Sequence, residues 1–167
     1  METLPPADKV SVTTSARLHM GFFDLNGNLG RHFGGIGLSL HNPVTALTIA
    51  AADKVSATGP VAERATKIAE QIMQSLSLCG GVHIELAQAI PEHSGLGSGT
   101  QLSLAIGMAI SHLFDLNLSV QQIASATQRG MRSGIGLGTF IHGGLIVDGG
   151  RTSVSLVPPV IAQTDFP

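Results

Sequence analysis

Strand-like segments crowd the early part of this 167-residue chain, no regular strand–helix alternation follows, and one long helix is apolar on almost every side. Together these point to an α+β fold in which a mixed or antiparallel sheet packs with helices. Val10, Val12, Thr14 and Ala16 alternate with polar neighbours into Leu18 and Met20, the pattern of a long first strand. The segment from Asp24 to Gly37 is rich in glycine and reads as turn and loop. Val44 to Ala52 reads as a further strand with Leu47 and Ile49 on one face, and Lys54 to Thr58 as a short one.

Gly59-Pro60 opens a helix, with proline where its missing N–H is harmless. Ala65, Ile68, Ala69, Ile72, Met73 and Leu76 recur at helical spacing, and Gly80-Gly81 ends the run. Val82, Ile84, Leu86 and Ile90 then share one strand face, with His83, Glu85 and Ala87 on the other, so His83 reads as a solvated strand residue. Ser98 and Gln101 have the spacing of a capping box before the apolar helix Leu102 to Phe114. Ser119 and Gln122 repeat it before a helix from Val120 to about Gln128, and His112 reads as a partly buried core or helix-end residue. A second Gly-rich segment runs from Arg129 to Gly138. Gly143 to Val147 and Arg151 to Val157 read as a hairpin turning at Asp148-Gly149-Gly150, followed by an irregular tail.

Composition narrows the function classes. Charged residues make up only 12% and hydrophobic ones 43%, which describes a globular chain with a substantial core. A formal net charge of −2, with no Trp or Tyr, removes the electrostatic and stacking case for nucleic acid. The single cysteine, Cys79, excludes an internal disulfide and a Cys-based zinc site, and its place at a helix end suits a buried thiol. No signal peptide and no apolar run of membrane-spanning length is visible, so the cytoplasm is the expected compartment.

Chemistry concentrates in Pro91-Glu92-His93-Ser94-Gly95-Leu96-Gly97-Ser98-Gly99-Thr100-Gln101, between a strand and the apolar helix. Three glycines in five residues leave consecutive N–H groups bare for an anion, and the helix adds unpaired donors and its positive dipole end. The alternative is a turn that merely lets strand and helix pack closely. No lysine follows the glycines, so this is not a Walker A loop, and its register differs from G-x-G-x-x-G. Arg17, Arg31, Arg129, Arg132 and Arg151 adjoin the Gly-rich loops or the end of the first strand. Their clustering favours a multi-anion substrate, because guanidinium forks match phosphate and carboxylate geometry.

Pro91 to Gln101 resembles the Pro-x-x-x-Gly-Leu-Gly-Ser-Ser phosphate loop of the GHMP kinase superfamily, departing from it at Gly99-Thr100-Gln101. A wider set is similar to the β-ribofuranosylaminobenzene 5′-phosphate synthase family within that superfamily. It comprises Ala16 to Phe22, Arg31 to Gly37, Glu92 to Leu102, Arg132 to Gly136 and His142 to Gly150, spread over most of residues 10–151. The resemblance implies a GHMP-kinase-like N-terminal α+β domain over residues 1–157, an irregular tail over 158–167, and a C-terminal family domain absent from this chain. Without that domain the chain is expected to bind phosphates weakly, turn over little and self-associate as a homo-oligomer.

The activity implied is condensation of phosphoribosyl pyrophosphate with 4-aminobenzoate or 4-hydroxybenzoate, releasing pyrophosphate and carbon dioxide. It belongs to tetrahydromethanopterin biosynthesis and uses Mg2+. In that frame the N–H groups at Gly95, Gly97, Ser98, Gly99 and Thr100 hold the diphosphate, with Arg17 and Arg31 as clamps. Arg129 or Arg132 faces the aromatic carboxylate, and Asp24 or Glu92 meets magnesium. His19, His93 and His142 are the acid–base candidates. Arg17, His19, Asp24 and Arg132 form the expected catalytic set, while the metal ligands stay open. Two other readings stand beside this one: an ATP-dependent small-molecule kinase of the same superfamily, and a non-catalytic phosphate-binding module.

Overall fold

The computed structural model describes residues 8–28, 30–131, 133–152 and 157–166. Its spine is β2 (Phe33–Ala52), twenty residues long, which β1 (Lys9–Asp24) follows antiparallel along one edge. The other edge is shared. Near its start β2 pairs with β5 (Leu145–Asp148), and near its end with β4 (Gly81–Gln88). The short β3 (Ser56–Thr58) adds to β4 in parallel, and β6 (Val160–Thr164) adds to β5 in antiparallel. The result is a mixed six-stranded sheet, as the early clustering of strands anticipates.

Four helices accompany the sheet among the described residues: α1 (Ala62–Ser75), α2 (Ser98–Leu113), α3 (Val120–Ala126) and α4 (Ile135–His142). Helix α1 is amphipathic, burying Ala65, Ile68, Ala69, Ile72 and Met73. Helix α2 buries eleven of its sixteen residues, too many for one stripe, which makes it the central helix. Leu102, Ile106 and Ile110 meet Ile68 and Ile72 of α1 and Leu47, Ile49 and Ile84 of the sheet in the main core. Leu104 joins Ile123, Ala124 and Leu137 in a second cluster that ties α3 and α4 to α2. The head of α2 is thereby fixed against both sheet and helices.

The cap of α3 forms as its sequence requires. Ser119 Oγ accepts from the Gln122 N–H at 3.2 Å, and Gln122 Oε1 accepts from the Ser119 N–H at 2.8 Å. Ser119→Ala should cost about 1 kcal/mol, read as a lower urea midpoint at unchanged m-value.

Several readings are corrected. The Ser98/Gln101 pair is not a capping box: Gly97 caps α2 in the left-handed region (φ 78°) without a side-chain bond, and Gln101 turns into the core. The loop assigned to Asp24–Gly37 ends early, because Phe33 already pairs with Asp24. The second Gly-rich segment runs into α4, whose Gly136 and Gly138 are buried and helical because packing against the sheet outweighs glycine's poor propensity. The tail is not irregular throughout: β6 supplies the hairpin partner of β5. Arg151 instead forms a bridge with His32, and residues 153–156 of the expected partner arm lie outside the described residues. Cys79 is exposed, His112 is a helix-end residue in the last turn of α2 and exposed, and half-buried His83 meets the Ser56 hydroxyl at 2.9 Å.

Candidate active site

After β4 the chain turns through Pro91–Gly97 directly into α2, and β1 crosses this turn. Arg17 holds it twice: its backbone N–H donates to Leu96 O at 3.0 Å, and its Nη1 donates to Gly95 O at 3.2 Å. The side chain lies against Gly97, where a Cβ would stand 2.9 Å from both Arg17 Cγ and Nε. Glycine is therefore required there twice over, by the positive φ and by the closeness of the guanidinium.

Two more cations converge on the loop. Arg64 Nη2 crowds the bare Cα of Gly99, and Arg129 Nη1 is 3.6 Å from where that residue's Cβ would be. Arg64 is neutralised by an ion pair with Glu92. The other two are not so matched. The Nε atoms of Arg17 and Arg129 are buried and have no hydrogen-bond partner in the structure described. Burial lowers the proton affinity of the Arg17 guanidinium; for Arg129 burial acts first and the charge of Arg64 adds to it. Buried donors with nothing to bond carry a desolvation cost that a bound anion would remove.

Between this loop and the second Gly-rich segment lies a cavity of about 130 Å³ lined by Arg17, Thr100, Gly130, Ser133 and Gly136. A larger one, about 780 Å³, opens between β1, β2 and the ends of α2 and α4, and no Arg, Lys, Asp or Glu lines it. Gln101 stands in the structure between them. It accepts from Thr14 Oγ1 at 2.5 Å and donates to Gly136 O at 3.0 Å, tying β1 to α4 through α2. Of the three arginines at the loop, Arg17 lines the smaller cavity.

His19, two residues beyond Arg17 on β1, is half-buried with its Nε2 buried and unpartnered, and its ring lies 4.5 Å from that of Phe22. Desolvation, then the charge of Arg17, lowers its pKa below the ordinary 6.5, against an opposing effect of Asp148. The unfolded chain therefore protonates His19 first as pH falls, so this group removes stability from pH 7 down through its lowered folded value. Urea unfolding at pH 7 and pH 5.5 should show a smaller loss in His19→Gln than in the parent.

Asp148, at the end of β5, is 1% exposed. Its Oδ2 accepts from Ser133 Oγ at 2.8 Å and from the Gly134 N–H at 2.9 Å, and its Oδ1 accepts from the Gly150 N–H at 2.9 Å. It thus holds the entry of α4 beside the small cavity. Sequence reasoning saw only a turn residue there.

The structure gathers Arg17, Gly95, Gly97, Ser98, Gly99, Thr100 and Arg129 around one loop, with His19 adjoining. Arg31, Asp24 and Arg151 have other partners. Arg31 Nη1 donates to Gly149 O at 3.4 Å and Gly150 O at 3.2 Å, bracing the turn after β5. Asp24 Oδ1 accepts from the Gly27 N–H at 2.9 Å at the far end of β1. Arg151 lies 5.3 Å from the Phe33 ring centre. His93 and His142 are exposed, and Arg132 lies outside the described residues. Arg64, the one arginine of six that adjoins neither a Gly-rich loop nor the first strand's end in the sequence, was missed. Nothing local marks it, since only the packing of α1 brings it to Gly99. Among the described residues no group of three or more His, Cys, Asp or Glu could hold a metal.

The mixed sheet, the central buried helix and the Gly loop at its head define a class. Residues 63–144 match the family model described as the GHMP kinases N terminal domain. Leishmania major mevalonate kinase shares the fold, with a TM-score of 0.66 at 18% identity over 96% of this chain and 55% of that one. More particular is the likeness to proteins named beta-ribofuranosylphenol 5′-phosphate synthase. The chain is 41% identical to that of Archaeoglobus fulgidus over 92% of its own length and 53% of the relative's. It is 37% identical to that of Methanocaldococcus jannaschii over 84% of its length and 47% of the relative's. The chain spans about half the length of these relatives.

Proposed function

We propose that this chain supplies the diphosphate-binding part of a phosphoribosyl transferase. In that reaction phosphoribosyl pyrophosphate condenses with an aromatic carboxylic acid in the cytoplasm, toward tetrahydromethanopterin. One observation carries the reading: the buried, unpartnered Nε donors of Arg17 and Arg129 flank a bare Gly loop at the head of a buried helix. The names of the relatives support a ribosyl 5′-phosphate transfer and favour 4-hydroxybenzoate over 4-aminobenzoate as acceptor.

The ring carbon bearing the carboxylate forms its bond to ribosyl C1 while the C1–O bond to diphosphate breaks, the electron pair leaving with the diphosphate. The ring–carboxylate bond then breaks, returns its pair to the ring and releases carbon dioxide. In this chain the loop N–H groups, Arg17 and Arg129 would neutralise the charge that grows on the leaving group. Magnesium, in this reading, arrives with the diphosphate, because ions of this kind need only one or two carboxylates beside phosphate oxygens. Glu92, whose partner Arg64 crowds Gly99, is the carboxylate this reading assigns to that role. When bound, the metal would offset diphosphate charge.

The test is calorimetric titration of the chain with magnesium plus phosphoribosyl pyrophosphate, against magnesium plus ATP. Selective binding of the first supports the transferase. Selective binding of ATP would replace it with the kinase reading, and binding of neither would overturn the site.

A further inference from the structure

Asp148 has a feature that a purely structural cap does not need. Its Oδ2, already bonded to Ser133 and Gly134, lies 3.5 Å from the position a Cβ on Gly35 would take, and His19 Nε2 lies 3.1 Å from that same position. The buried carboxylate and the buried, unpartnered imidazole nitrogen therefore flank one bare Cα. A side chain at position 35 would stand between them. Among the described residues the charged groups acting on His19 are Arg17 on its own strand and Asp148 from β5, and its pairing partner on β2, Gly37, has no side chain.

We propose that Asp148 is a positioning residue which fixes the entry of α4 and pairs electrostatically with His19 across the space left by Gly35, making the two a proton-holding unit beside the anion site. Its placement next to an anion rests on the function proposed above; the pairing itself does not. The three donors to Asp148 are a hydroxyl and two backbone N–H groups, none of them a cation. Protonated His19 then carries a donor at Nε2, beside Gly35 and Asp148 Oδ2. An anion bound against Arg17 cancels the repulsion that Arg17 exerts on His19, so anion arrival and proton uptake reinforce each other. The unit thereby takes up its proton when an anion binds, beside the place where a diphosphate would depart.

The experiment is NMR titration of the His19 ring in the ligand-free chain, assigned by loss of its resonance in His19→Gln. In Asp148→Asn the His19 midpoint should fall by about one pH unit, the effect of removing one nearby, partly screened charge. Gly35→Ala is the second variant, because it separates the pair while leaving both groups and the α4 cap in place, and it should lower the midpoint as well. Unchanged midpoints in the folded variants overturn the pairing. If Asp148→Asn fails to fold, Gly35→Ala decides alone. Because no ligand enters this readout, failure of phosphoribosyl pyrophosphate to bind would sink the proposed function without altering this result.

Discussion

Replacing Arg17 with alanine is expected to weaken binding of magnesium pyrophosphate roughly a hundredfold, corresponding to about 3 kcal/mol for a desolvated charge-assisted contact. The effect should fall on binding more than on folding. The backbone N–H of residue 17 still donates to Leu96 O in the variant, so the loop keeps its main tether and loses only the weaker Nη1 bond to Gly95. What disappears is the buried Nε over Gly97. Arg17→Lys should recover only part of the loss, because an ammonium is a point charge and cannot present a fork to two oxygens. Calorimetry with pyrophosphate measures both variants, and affinity in Arg17→Ala equal to the parent's would remove Arg17 from the site.

The largest loss of stability is expected from Gln101→Leu, at about 3 kcal/mol or a fall in melting temperature of roughly 10 °C. Gln101 is fully buried, and its amide links Thr14 on β1 to the Gly136 carbonyl in α4. Leucine fills similar space but deprives the Thr14 hydroxyl and the Gly136 carbonyl of this partner inside the core. Gly136 O retains the Thr139 hydroxyl at 3.3 Å, so the greater penalty falls on Thr14. A double variant with Thr14→Val should therefore recover part of the loss, and thermal unfolding of the three chains decides it.

Gln101 also shows where local reading ends. Its spacing from Ser98 fits a capping box, but nothing within four residues reveals that β1 and α4 offer it better partners. The first strand, α1, β4 and the body of α2 were legible because each carries a hydrophobic period long enough to stand alone. The Gly loop was legible as bare backbone, Arg17 because it falls at the end of the first strand's pattern, and Arg129 because it adjoins Gly130. Helix α4 was hidden by its own composition: two glycines and a threonine discourage a helix until the sheet and α2 bury them. Arg64 and Asp148 were hidden for a different reason. Their importance comes from what faces them across the fold, Gly99 and Glu92 for one and Ser133, Gly134 and His19 for the other.

The tether between Arg17 and Leu96 has a consequence beyond the site. Among the described strands β1 pairs only with β2, so its sixteen-residue outer margin is open to recruitment by a stray β-segment, and Leu18, Met20 and Phe22 stand exposed nearby. Long unpaired margins of this kind nucleate aggregation. The Arg17 N–H already engaged by Leu96 occupies a rung that an invading strand would need. Register shifts on both sides, between Ser15 and Arg17 and between His19 and Gly21, bend the strand away from straight pairing. The turn that cradles an anion is thus also a stopper against templated β-growth, and residues that loosen it should promote fibril formation as well as weaken ligand binding.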